Sequence, residues 1–342
     1  MNKRIITLDA LKVFFILSLF FAHSNWVPFS FDAGARIVEF FFLVSGFCFA
    51  YKHYSDNIIG TYKESIINVW KKIVYFYPLH FITALFCLIL SLFAKEQNLI
   101  PKVLCNLLLI QSWSCNPEIF FSLNAVSWYL SALLFCYFCA PLFLKLILNK
   151  NRLLFFFLAL ALRIFIELFQ KISNITFLPV SMHVSPPIRA LEFFIGMSMI
   201  MPYQIITKKI ELLSPKICKA LFSILEVFVF FILIFSFYKF DKVHFRGFFI
   251  ILYCPFLIVF ALEKGIIGKL LQNKFFKICS QYQLPFYMFH QVVLRFGDFF
   301  TRKYSDITTY FMYRGGLLLA TILLAIFWEK IENQSKRIRG IR

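Results

Sequence analysis

The sequence predicts an all-α protein that threads a membrane about ten times, and three observations carry that prediction. Of its 342 residues, 61% are hydrophobic and only 15% are charged. The apolar residues gather in runs long enough to span a bilayer, which takes about 20 helical residues. These runs lack the two-residue alternation of a membrane β-barrel, the only other architecture that satisfies its backbone within lipid. No polar linker, phosphate loop or internal repeat divides the chain, so it reads as a single membrane-embedded domain, 1–342.

The expected spans lie near 8–26, 36–52, 74–94, 124–148, 152–169, 187–202, 219–238, 245–262, 283–299 and 314–329. Lys3 and Arg4 precede the first, but no small-residue cleavage site follows it, so it is a span and not a signal peptide. An even number of spans places both termini on one side. With that side cytoplasmic, 22 of the 36 Lys and Arg fall in cytoplasmic segments and 10 in external ones. This is the bias that orients multi-pass proteins. It accounts for the net charge of +19 without a nucleic-acid partner and leaves membrane lipids around the bundle.

Polar residues within the spans are costly and mark function. On the first span, Lys12 and His23 are eleven residues apart. At 100° per residue they share a helix face, separated by roughly 16 Å along the axis. The second span carries Glu39 about one turn below the external surface, as His23 is, and the short connection makes the two helices neighbours. A carboxylate there can orient an imidazole and stabilise its protonated form, a general-base pair in outline. Ser45 and Gly46 follow at mid-membrane, where small residues allow close helix approach.

Later spans carry their own polar groups. Trp128 opens the fourth span, at an interfacial anchoring position. Arg163 and Glu167 in the fifth span, and Arg189 and Glu192 in the sixth, are spaced to pair along their helices. His290 stands alone inside the ninth. Cys136 and Cys139 have CxxC spacing without a second pair to complete a metal site, so packing is their reading and no metal is expected. Cys105 and Cys115 fall in an expected external loop, where an oxidising compartment permits a disulfide.

Taken in order, "RIITLDALKVFFILSLFFAH", "VEFFFLVSGF", "LLLIQSW", "SWYLS", "RALEFFIGM" and "FYMFH" resemble the acyltransferase-3 family of bacterial integral-membrane acyltransferases, over about residues 4 to 332. The resemblance implies transfer of an acyl group, most often acetyl from acetyl-CoA, to a hydroxyl of a surface glycan. The acceptor would be a lipid-linked or polymeric saccharide such as O-antigen or capsule. It makes His23 the essential histidine and general base, Glu39 its partner and Lys12 the basic donor contact. Lys71, Lys72 and Ser45 are further donor-side candidates, and Trp128, Arg189, Glu192 and His290 acceptor-side ones. The family usually has arginine where this chain has Lys12, and two arginines ahead of the third span where this chain has "KKIVYFYP". A transporter or glycan flippase is the rival class, but the paired interrupted helices that mark a transporter site are missing from the pattern.

Overall fold

The computed structural model describes residues 4–24, 33–54, 62–173, 183–239, 246–300 and 307–338. Every regular element among them is helical. The N-terminal half contains α1 (Ile6–Ser24), α2 (Ala33–His53), α3 (Tyr62–Phe93), α4 (Leu99–Leu107), α5 (Pro117–Phe120), α6 (Trp128–Leu148) and α7 (Arg152–Ser173). The C-terminal half contains α8 (Pro186–Ser198), α9 (Ile200–Ile210), α10 (Pro215–Lys239), α11 (Arg246–Ala261), α12 (Ile266–Leu271), α13 (Lys274–Cys279), α14 (Gln283–Phe300) and α15 (Ile307–Ile338). Most described residues of the ten expected stretches are helical, with 94, 124, 199 and 262 outside helix and 187–202 divided between α8 and α9; 25, 26 and 245 lie outside the described residues.

Among the described residues, six helical stretches are long and apolar enough to cross a bilayer: Ile6–Ser24, Lys63–Phe93, Ala125–Leu148, Pro186–Ile210, Pro215–Lys239 and Thr308–Ser335. Their outer faces carry Leu92, Phe93, Phe231, Leu323 and Phe327 in the open. In water such a belt would be an aggregation surface; in a bilayer it is the lipid contact. The chain is therefore a multi-pass membrane protein. Two further helices, α2 and α7, carry charges that dilute their apolar character, yet those charges are buried: Arg36, Glu39, Arg163 and Glu167 all lie inside the bundle.

α2 is the central helix. Phe40, Phe42, Leu43, Val44 and Phe47 are buried around its circumference. It packs beside α1, Phe15 meeting Phe40 with ring centroids 4.4 Å apart. Against α8 it makes backbone contact. A Cβ added to Gly46 would strike the carbonyl of Phe193, and one added to Gly196 would strike the carbonyl of Leu43. Glycine on both helices permits an approach that any side chain would prevent.

Polar ties fix the segment that follows α11. Glu226 of α10 accepts the backbone N–H groups of Ile267 at 2.8 Å and Gly268 at 3.0 Å, holding α12 against α10. A Cβ on Gly265 or Gly268 would collide with that carboxylate. Thr7 of α1 donates its hydroxyl to the Phe260 carbonyl at 2.7 Å. Cys105, on α4, and Cys115 are both free thiols in this structure.

Candidate active site

α1 ends at Ser24, and its terminal carbonyl accepts the Tyr310 hydroxyl of α15 at 3.2 Å. One residue earlier, His23 is exposed on one side and bonded on the other. Its Nδ1 lies 2.9 Å from Nε2 of His290 on α14. The two rings are nearly parallel, 6° apart with centroids 5.2 Å apart. Nδ1 of the buried His290 lies 2.5 Å from the carbonyl of Tyr287, one turn back on the same helix.

These contacts assign the protons. A carbonyl only accepts, so Nδ1 of His290 carries its hydrogen and, in the neutral ring, Nε2 is a lone-pair acceptor. His23 must then donate from Nδ1, which leaves the lone pair on its own Nε2. That nitrogen faces α2 at Gly34, where an added Cβ would lie 3.5 Å away. The missing side chain leaves room in front of a nitrogen able to take a proton.

Tyr287 is itself held in place. Its hydroxyl donates to the Val126 carbonyl at 2.9 Å, and its ring lies 5.6 Å from that of Tyr129. The Tyr129 hydroxyl lies within electrostatic reach of Ser45 of α2. Ser45 and Tyr129 each keep part of their surface accessible. One turn further along α2, Cys48 lies within Coulombic reach of Lys12 and Lys72. Lys72 reaches over Tyr137, its ammonium 4.3 Å from the ring centroid, and also feels the charge of Lys12. Lys12 pairs with Asp9 at 3.0 Å. Asp9 also binds Arg4, and its backbone carbonyl accepts Gln283 at 2.6 Å. Lys12 and Lys72 are thus brought together; Lys71, rotated 100° around α3, is exposed.

Glu39 sits elsewhere than at His23. It lies five residues beyond Gly34 on α2, about 140° around the helix from the face that meets His23. Its Oε1 is instead 3.6 Å from Nη2 of Arg163. Arg163 also binds Glu167 at 2.7 Å and Glu192 at 3.1 Å, and Glu192 binds Arg189 at 2.5 Å. The two expected intrahelical pairs therefore exist, but Arg163 joins them to Glu39 in one buried cluster across α2, α7 and α8. Trp128 is buried rather than interfacial. Its ring lies 5.7 Å from the Arg189 guanidinium and 4.6 Å from the ring of His183.

An exposed histidine with a fixed tautomer and a separate pair of lysines suits proton removal next to an anionic donor. The family model for an acyltransferase domain matches residues 5–328. The chain belongs to this acyltransferase family. Within that assignment, Acyltransferase MdmB of Streptomyces mycarofaciens is 31% identical over 121 residues, covering 33% of this family member and 29% of MdmB. The chain thus spans less than a third of that relative's length in the match. No solved structure matches it.

Sequence reasoning placed His290 alone, because nothing in local spacing links residues 267 positions apart. Its fragment "FYMFH" belonged to the resemblance, and that was the one available signal. Tyr129 likewise lay within the fragment "SWYLS", whereas Gly34 carried no signal.

Proposed function

We propose that this acyltransferase moves an acetyl group from acetyl-CoA to a sugar hydroxyl of a bacterial surface glycan, crossing the inner membrane ten times with both termini cytoplasmic. The observation that carries the reading is the hydrogen-bonded run from the Tyr287 carbonyl through His290 to His23, which in the neutral rings puts the lone pair on Nε2 of His23.

In this mechanism Nε2 of His23 removes the proton of the acceptor hydroxyl as its oxygen attacks the thioester carbonyl. The tetrahedral intermediate collapses, the carbon–sulfur bond breaks, and the imidazolium returns its proton to the departing thiolate. His290 is a positioning residue that fixes ring orientation and tautomer, the role first expected of Glu39. Lys12 and Lys72 hold the phosphates of the donor. The roughly 16 Å between Lys12 and His23 lets an extended pantetheine arm reach the histidine. Ser45 and Tyr129, partly accessible between the two ends, are the hydroxyls that line its course. Trp128, Arg189 and Glu192 form the wall on the acceptor side, and Glu39 ties α2 to it through Arg163.

Deleting the gene and recording the proton NMR spectrum of purified surface glycan tests the reading. Loss of an O-acetyl signal, restored by the wild-type gene but not by His23→Ala, is the expected result. An unchanged spectrum contradicts it.

A further inference from the structure

His290 meets His23 only while α14 is held at one angle about its own axis. The bond from His290 to the Tyr287 carbonyl lies within α14, so it fixes the tautomer but not that angle. A rotation of about 20° would carry a ring ~5 Å from the axis through roughly 2 Å. That slip would break a contact of 2.9 Å. The apolar packing of α14, such as Phe296 against Phe86 of α3, is non-directional and permits it. Hydrogen bonds are directional and resist it.

The segment 123–126, just ahead of α6, supplies them. The Asn124 amide donates to the Met288 carbonyl at 3.0 Å. In return, the Tyr287 hydroxyl donates to the Val126 carbonyl at 2.9 Å. Each partner thus lends a side chain to the other's backbone. Asn124 and Tyr287 are both buried, so water does not compete for either bond. Leu123 takes a φ of 51°, a left-handed backbone that residues with a Cβ rarely adopt, and its carbonyl accepts the Arg295 guanidinium. Around α14, Met288 and Arg295 lie about 200° and about 140° from His290, on its far side. Gripped there, α14 presents His290 to α1. Gln283 also ties α14, to the Asp9 carbonyl at 2.6 Å, but about two turns away from His290.

Resting on the proposed role of the histidine pair, we infer that Asn124 is a positioning residue. It holds α14 at the angle that aligns Nε2 of His290 with Nδ1 of His23.

The test uses the full chain in phospholipid nanodiscs, with histidine labelled at its ring nitrogens. NMR signals of the pair are assigned by difference from His23→Ala and His290→Ala. In the wild type each of the two rings should show a single tautomer. Asn124→Ala should move the His290 signals to those of a ring averaging between tautomers. It should also lower kcat for acetyl transfer by about tenfold, with KM for acetyl-CoA unchanged. Tyr287→Phe keeps the ring, loses only the reciprocal bond, and should shift the same signals. Ser112→Ala removes an equally buried bond, to Ser131 of α6 at 2.6 Å, and should leave them in place. Added to His290→Ala, Asn124→Ala should cost no further rate, because it acts through that ring. Wild-type histidine signals in both Asn124→Ala and Tyr287→Phe, or losses that multiply with His290→Ala, overturn the inference. The NMR readout needs no acyl transfer. A wild-type rate in His290→Ala therefore counts against the reaction, while the histidine signals judge Asn124 separately.

Discussion

Nδ1 of His23 and Nε2 of His290 stand 2.9 Å apart, although 267 residues separate them in the chain. One sits at the end of α1 and the other within α14, so their meeting depends on the packing of the first helix against the fourteenth. The Tyr287 carbonyl then decides which nitrogen of each ring carries hydrogen.

At the donor end, Lys12→Met and Lys72→Met should each raise KM for acetyl-CoA with little change in kcat, as loss of uniform ground-state binding does. Lys71→Met should leave both constants near wild type, because Lys71 is exposed and turned from the pair. Lys12→Arg should retain activity, since the charge is kept. Steady-state kinetics on the purified enzyme separates these outcomes, and equal sensitivity of Lys71 and Lys72 would refute the placement.

In front of Nε2, size should matter more than chemistry. Gly34→Ala adds a carbon at ordinary contact distance, 3.5 Å from the nitrogen, and should be tolerated. Gly34→Leu fills the space and should abolish most transfer while leaving donor binding intact, measured by acetyl-CoA retention on the detergent-solubilised protein. Full activity in Gly34→Leu would move the acceptor hydroxyl to another face.

The buried cluster should report on folding more than on chemistry. Arg163 holds Glu39, Glu167 and Glu192 together, and removing one member of a buried charge set costs about 3–5 kcal/mol. Arg163→Met should therefore lower the yield and melting temperature of the extracted protein sharply. Glu39→Gln should lower the melting temperature while kcat per folded molecule stays close to wild type, because Glu39 lies off the histidine pair. A stable Glu39→Gln enzyme with its kcat reduced by about 10²-fold or more would restore this carboxylate to the proton-transfer step.

Close approach of α2 and α8 should be intolerant of side chains. Gly46→Val or Gly196→Val drives a branched group into a backbone carbonyl of the facing helix and should prevent accumulation of folded protein, seen by size-exclusion chromatography. A monodisperse, active Gly46→Val enzyme would contradict the backbone contact.

The helices and their polar residues were legible in the sequence because both follow local rules. Apolar length gives the spans, and spacing of three or four gave Arg189 with Glu192 and Arg163 with Glu167. Helix phase also aligned Lys12 with His23. What joins helices was not legible. Arg163 to Glu192 and His23 to His290 depend on which faces pack together, and no local period encodes that. Glu39 misled for the same reason. Its depth matched that of His23, but depth without rotation about the axis does not establish contact. Lys71 and Lys72 were indistinguishable until the packing of α3 turned one of them inward.

The central claim is that His23 is the base and His290 sets its proton. Single-turnover acetyl transfer by purified His23→Ala, His290→Ala and the double variant, at saturating acetyl-CoA, tests it most directly. His23→Ala should remove nearly all transfer, and His290→Ala should lower the rate by about 10²-fold with donor affinity unchanged. His290→Gln, which keeps an acceptor oxygen, should recover part of the loss. The double variant should be no slower than His23→Ala, because residues acting as a unit are non-additive. Transfer at the wild-type rate in His290→Ala, or losses that multiply in the double variant, would contradict the account.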